Sequence, residues 1–127
     1  MPYKDINGGK FMAESKILTY KDLLWTNPNP SSGSFTDTTI SLDLSKYRYV
    51  EVWYRDGSYV GGYKTINIEI GVNIYIFSST GPTCARQCVT TTSSIRFYTG
   101  VSYGAYGGNS ATSSGAIIIP YKIYGVK

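Results

Sequence analysis

The stretch Thr38-Thr39-Ile40-Ser41-Leu42-Asp43-Leu44, followed shortly by Tyr49-Val50-Glu51-Val52-Trp53-Tyr54-Arg55, alternates side-chain character residue by residue. Successive side chains of an extended chain point to opposite faces. Ile40, Leu42 and Leu44 therefore share one side, and Thr39, Ser41 and Asp43 the other. Val50, Val52 and Tyr54 repeat the pattern against Tyr49, Glu51, Trp53 and Arg55, an outward face unusually rich in aromatic rings. A period of two predicts strands with one wet and one buried face, and Asp56-Gly57 then reads as a two-residue hairpin turn.

The same reading extends in both directions. Ile66, Ile68 and Ile70 alternate with Asn67 and Glu69, and Ile74 and Ile76 keep that parity beyond Gly71, where the chain either turns a hairpin or runs on as one long strand. Gly81-Pro82 marks a turn, and residues 85–92 and 95–98 read as short strands joined at Ser93-Ser94. Residues 100–115, mostly Gly, Ser, Ala, Thr and Asn with Tyr103 and Tyr106, read as a long loop. The closing strand, residues 117–124, is apolar on both faces in its first half. Pro120 has no amide hydrogen, which requires an edge or a bulge there. Upstream, residues 27–34 are dense in Pro, Asn and Ser and read as loop. Residues 13–24 are the one helical candidate, with Ile17, Leu18 and Leu24 on a shared face, although Thr19 and Tyr20 favour a strand. About seven to nine short strands with regular turn signals predict an all-β fold, a single antiparallel β-sandwich or jelly-roll-like domain over residues 21–127. Residues 1–20, with Gly8, Gly9 and no clear period, are expected to form an N-terminal arm that stays loose or docks on a partner.

Composition narrows the function. The chain has 127 residues, enough for one domain, and combines 13 Tyr and 14 Gly with no His. Only 16% of residues are charged, so the surface is largely uncharged and polar. The net charge of +4 is scattered: Lys4, Lys10, Lys16 and Lys21 lie among Asp5, Glu14 and Asp22, and Arg48, Arg55, Arg86 and Arg96 stand singly. No basic cluster follows a phosphate backbone, and nucleic-acid binding is not expected. No apolar run reaches the ~20 residues of a membrane span, and residues 1–20 lack the apolar stretch of a standard leader. Cys84 and Cys88 fall on one face of a strand, about 13 Å apart, too far to bridge. A zinc site would need two carboxylates beside them, so no metal or other cofactor is expected and both read as small buried hydrophobes.

Without His, neither a Ser-His-Asp nor a Cys-His system can be assembled in one chain. Glu51 and Glu69, outward on strands, are the best placed carboxylates for glycoside cleavage, and a solvated or paired sheet face accounts for them better. Gly61-Gly62 lacks phosphate-loop spacing. Surface recognition remains, and no enzyme is expected.

The phrase Leu24-Trp25-Thr26-Asn27-Pro28-Asn29-Pro30, then Phe35, Ile40 to Tyr47 and Tyr49-Val50-Glu51-Val52, resembles the start of small tail-fibre, head-fibre and receptor-binding domains of tailed bacteriophages and prophages. The ending Ile119-Pro120-Tyr121-Lys122-Ile123-Tyr124-Gly125 resembles their closing strand. The likeness covers the two ends of residues 24–126 and leaves about 58–114 unmatched, which is where partner choice would lie. It implies a β-sandwich virion protein assembled as a trimer at a fibre tip, made in the host cytoplasm and then carried on the extracellular particle. Its arm would dock on other virion proteins, and its ligand would be a bacterial surface polysaccharide.

Tyr98, Tyr103, Tyr106 and Asn109 are the expected ligand contacts. Rigid rings among small polar residues give contact area at low entropic cost, and tyrosine stacks on the apolar face of a sugar. A solvated loop is the plain alternative. Tyr49, Trp53 and Ile118 are the expected oligomer interface, since the chain has more apolar faces than one thin core needs and a closed trimer would bury them. Against this, all three could fill the monomer's own core. The competing functional class is an architectural piece without a ligand, such as a head fibre, capsid decoration or neck or baseplate protein.

Overall fold

The alternation over residues 38–55 is realised as two strands in two different layers. The structure, a computed structural model, describes residues 20–56, 63–78, 84–103 and 111–127. Ten strands form among these residues: β1 (Lys21–Thr26), β2 (Thr38–Ser41), β3 (Tyr49–Arg55), β4 (Tyr63–Glu69), β5 (Asn73–Phe77), β6 (Cys84–Thr90), β7 (Ser94–Phe97), β8 (Val101–Tyr103), β9 (Ala111–Ser113) and β10 (Ile119–Val126). A four-stranded sheet runs β1-β10-β3-β4, and a six-stranded sheet runs β2-β7-β6-β8-β9 with β5 on the opposite edge of β6. All pairs are antiparallel.

The apolar faces of the two sheets meet. Val50, Val52, Ile68 and Ile123 come from the first sheet, and Ile40, Ile76, Cys88, Ile95 and Phe97 from the second; all are buried in one cluster with Leu44, Tyr47 and Ile118. Each such side chain contributes about 1.5–3 kcal/mol on leaving water. The outward residues predicted beside them, Thr39, Ser41, Asp43, Asn67 and Glu69, are exposed. The protein is thus an all-β, antiparallel, sandwich-like single domain. Cys84 and Cys88 are free and buried, and burial pushes the Cys88 thiol up to about 12.

Several local expectations change. Lys21–Thr26 is a strand, not the end of a helix; its register against β10 slips between Leu23 and Trp25, a bulge that hides the period of two. Residues 13–19 of that candidate lie outside the described residues. β3 and β4 form a hairpin, but Arg55 pairs with Tyr63, so the connection spans 56–62 and Asp56-Gly57 is no two-residue turn. Asp56 is buried at the hairpin base, its carboxylate 3.6 Å from Lys64 Nζ. At Gly71 the chain neither turns a hairpin nor continues: it leaves the four-stranded sheet as β4 and enters the six-stranded one as β5. Gly71 has φ 89°, in the left-handed region that glycine enters without strain. The buried Thr90 hydroxyl holds this corner, donating to Glu69 O at 2.6 Å and accepting from Gly71 N at 2.9 Å and Val72 N at 3.2 Å.

Residues 100–115 are not one loop, because β8 and β9 pair as a hairpin, with Val101 opposite Ser113 and Tyr103 opposite Ala111. β10 lies inside its sheet, and Pro120 sits where its register against β3 slips; the missing amide is accommodated by a bulge.

Candidate functional site

On the outer face of the six-stranded sheet lies a cleft of about 320 Å³, lined by Asp37, Tyr75, Ala85, Gln87, Tyr98, Thr99 and Val101. Its floor is β6. Cys84, Arg86, Cys88 and Thr90 turn inward and are buried, which leaves Ala85 and Gln87 facing out. β5 supplies one wall by the same alternation: Ile74 and Ile76 pack on the core while Tyr75 and Phe77 stand 54% and 60% exposed. Their rings are tilted at 6.3 Å.

The opposite wall depends on an irregularity. Cys88 pairs with Phe97 and Ala85 with Val101, so Arg86 and Gln87 face three residues, Tyr98, Thr99 and Gly100. This extra residue is a β-bulge, and it shifts the parity of the strand. Arg96 and Tyr98 point outward before it and Val101 after it, so Tyr98 and Val101 both reach the cleft. Gly100 is the position that permits it: a Cβ there would lie 2.6 Å from Ile117 Cγ1 and 2.7 Å from Ser114 O.

Beneath the bulge, Arg86 is wholly buried and faces no carboxylate among its described partners. It donates to carbonyl oxygens instead: Nη1 to Tyr98 at 2.7 Å and Phe35 at 2.9 Å, Nε to Ile118 at 2.8 Å, and Nη2 to Ile117 at 2.7 Å. Burial lowers this guanidinium to about 10, so it stays charged at neutral pH. The Phe35 ring lies 5.2 Å from it. Arg86 is therefore a positioning residue for Tyr98.

The rim is wired from above as well. Arg96 grips Asp37 at both oxygens, Nε to Oδ1 at 2.9 Å and Nη2 to Oδ2 at 2.6 Å, and this hydrogen bonding holds the Asp37 carboxyl below its ordinary range. The guanidinium also covers one face of Tyr98 at 4.1 Å. Thr99 Oγ1 accepts from Asp37 N at 3.0 Å, and Gln87 Nε2 donates to Asn73 Oδ1 at 2.9 Å. Polar groups so fixed before binding lower the entropic cost of holding a ligand.

Of the expected ligand contacts, Tyr98 lies in the cleft. Tyr103 ends β8, but its side chain is outside the described residues, as are Tyr106 and Asn109 altogether. Asp37, Tyr75, Ala85, Gln87, Thr99 and Val101 of the lining were not anticipated, nor was Arg96, which holds Asp37. Tyr75 and Phe77 carried a legible signal, being the outward partners of Ile74 and Ile76; the Asp37–Arg96 pair, from distant parts of the chain, carried none.

The expected interface residues divide. Ile118 is wholly buried and belongs to the core, so it is corrected to a packing residue. It adopts φ 50°, a strained conformation for a β-branched residue. Tyr49 and Trp53 are half-buried on the outer face of the four-stranded sheet. Glu51 lies between them on that face, accepting from Lys21 Nζ and Trp53 Nε1, each at 3.0 Å. Burial raises the Glu51 carboxyl, but these two donors outweigh it and hold it below its usual value. Nearby, Tyr63 stacks on Tyr121 at 4.4 Å. Among the described residues, no three of His, Cys, Asp and Glu gather as a metal site, and no helix is long and apolar enough to cross a membrane. Comparison with protein-family models, curated proteins and solved structures found no match.

Proposed function

We propose that this chain is a recognition module without catalytic activity, a homotrimeric tail-fibre or tail-tip component of a phage or phage-like virion, and that its cleft holds a bacterial surface glycan. The observation that carries the reading is the cleft itself. Tyr75 and Tyr98 flank a floor of Ala85 and Gln87, with Asp37 and Thr99 fixed at the rim. Aromatic rings offer flat apolar area with a polar tip, and planar polar side chains offer directed hydrogen bonds, which together match a sugar ring.

The virion setting rests on the resemblance of the chain's two ends, and the fold gives that resemblance a spatial sense. Leu24 to Thr26, Tyr49 to Val52 and Ile119 to Gly125 fall on β1, β3 and β10, neighbours in the four-stranded sheet, and the matched phrase Ile40 to Tyr47 begins on β2 at the edge of the six-stranded one. The unmatched middle supplies every described residue of the cleft lining except Asp37. A shared frame with a private recognition face is what a family of adhesins requires.

Calorimetric titration with purified wall polysaccharides and their oligosaccharides tests the reading. Binding is expected, and Tyr98→Ala or Tyr75→Ala should weaken it about tenfold, the ~1.4 kcal/mol of one aromatic contact. Tyr63→Ala, on the opposite sheet, should leave the binding of short oligosaccharides unchanged. A folded protein that binds no saccharide would favour the second reading, an architectural virion piece such as a head fibre or capsid decoration, for which the aromatic outer face of the four-stranded sheet would serve assembly alone.

A further inference from the structure

The geometry points to an uncharged, hydroxyl-rich ring with one apolar face, a neutral hexose-type unit, as the ligand class of the cleft, with acidic sugars excluded. This inference rests on the cleft being a glycan site. Among the described residues of the lining, Asp37 is the one charged group, and it is an anion. An acidic sugar derives its affinity from a bidentate cationic partner or a cluster of lysines. The nearby cation is Arg96, and it is already committed. Two of its nitrogens hold the two Asp37 oxygens, and its plane lies on Tyr98 at 4.1 Å. A uronate or phosphate entering the cleft would face the Asp37 carboxylate and a guanidinium whose charge that carboxylate already balances, with its Nε–Nη2 edge occupied and only the N–H groups of Nη1 and the second of Nη2 left to it.

A neutral ring meets no such cost. Each Asp37 oxygen accepts one bond from Arg96 and keeps a lone-pair site for a sugar hydroxyl, an acceptor strengthened by its charge. Gln87 donates its amide nitrogen to Asn73, which leaves its carbonyl oxygen as a second acceptor. Thr99 adds a hydroxyl. The Tyr98 face not covered by Arg96, with Tyr75, provides stacking area. Because Arg96 balances Asp37, the cleft has no net charge to favour a cationic ligand either. The volume of about 320 Å³ lies at the small end of ligand sites, which run on the order of 300–1,000 Å³, and suits one or two sugar units.

Matched pairs of probes test this: galacto-oligosaccharides against oligogalacturonates, and neutral gluco-oligosaccharides against glucuronate-containing ones, titrated into the full chain. Neutral members are expected to bind at least tenfold more tightly than their acidic counterparts. Asp37→Asn, an exposed change whose fold is checked by thermal melting, frees Arg96 and should narrow that ratio at least fivefold. Acidic oligosaccharides binding as tightly as neutral ones, or a ratio unmoved in Asp37→Asn, would overturn the charge selectivity while leaving the glycan site standing. No binding by any probe would overturn the site and this inference with it.

Discussion

A wholly buried guanidinium that meets carbonyl oxygens instead of a carboxylate is stable only because several acceptors converge on it. Arg86 gathers Phe35, Tyr98, Ile117 and Ile118, three separate segments of chain, and so pins both the bulge at Tyr98 and the strained Ile118. Removing a buried charged partner strands the groups around it. Arg86→Met, which keeps much of the volume and leaves the carbonyl oxygens unpaired, is expected to cost about 1–3 kcal/mol in urea unfolding, and to weaken glycan binding by more than Tyr98's own conservative variant Tyr98→Phe. A second residue-level device is pH-dependent. Tyr47 is buried and its hydroxyl donates to Asp22 Oδ2 at 2.6 Å; burial first, then this bond, pushes the phenol up to about 12. The folded state holds the proton more tightly than the unfolded one, whose phenol titrates near 10. Its stabilising share is therefore complete below pH 10 and lost between about pH 10 and 12. Cys88, also raised to about 12, adds a loss that begins near pH 9. On the acid side, the Tyr47 hydroxyl is the leading reason that Asp22 sits below its ordinary value, so that share is present above about pH 4 and fades as pH falls through the lowered value. Melting temperature followed from pH 8 to 12 should hold to about pH 9 and fall from there, and Tyr47→Phe should flatten the upper part of the fall while lowering the melting point at neutral pH.

At the scale of elements, the sheet-switching corner makes its own prediction. Thr90 Oγ1 uses its one hydrogen and two lone pairs on Glu69, Gly71 and Val72. Thr90→Val preserves shape and orphans all three groups, and should cost about 2–3 kcal/mol in denaturant unfolding, whereas Thr90→Ser should retain most of the stability. This corner also shows what was legible in the sequence. Ile66 to Ile76 announces its burial plainly, yet the layer change at Gly71 is invisible, because both layers turn apolar residues to the same interior and the parity is identical whichever sheet receives the strand. Bulges hide elements in another way. The slip between Leu23 and Trp25 breaks the alternation of β1, which then imitates a helix face. β8 and β9 are short and built partly of Ser, Thr and Ala; their strand character comes from backbone pairing with β6 and with each other, and hydrophobic periodicity does not register that. The bulge at Tyr98 to Gly100 is the same problem at the site. It brings Tyr98 and Val101 to one face, so Tyr98 could be named from its residue type but its partners across the sheet could not.

For the whole molecule, the two outer faces have different characters, and that difference orients the proposed assembly. The cleft must stay open to ligand, so a trimer contact belongs on the four-stranded sheet. There Leu23 and Tyr63 stand about half exposed beside the stacked Tyr121 and the half-buried Tyr49, Trp53 and Tyr124. Lys21 and Glu51 neutralise each other on that face, while Lys122 lies over the Tyr121 ring at 5.1 Å, a cation that a contact there has to accommodate. A stable contact of this kind covers about 800 Å² per partner, and three copies close without an open edge for growth. Light scattering at micromolar concentration should therefore give about 42 kDa, three chains of 14.0 kDa. Leu23→Glu with Tyr63→Glu should convert this to a monomer that keeps its strand circular dichroism, because both residues are solvent-exposed in the single chain and cost its core nothing. The monomer should also keep its intrinsic affinity for a short oligosaccharide while losing the avidity of the trimer for a long polysaccharide, since linked sites gain from effective concentration and not from new contacts. A wild-type monomer at the same concentration would remove the trimer from the proposal, and the cleft would then have to act alone.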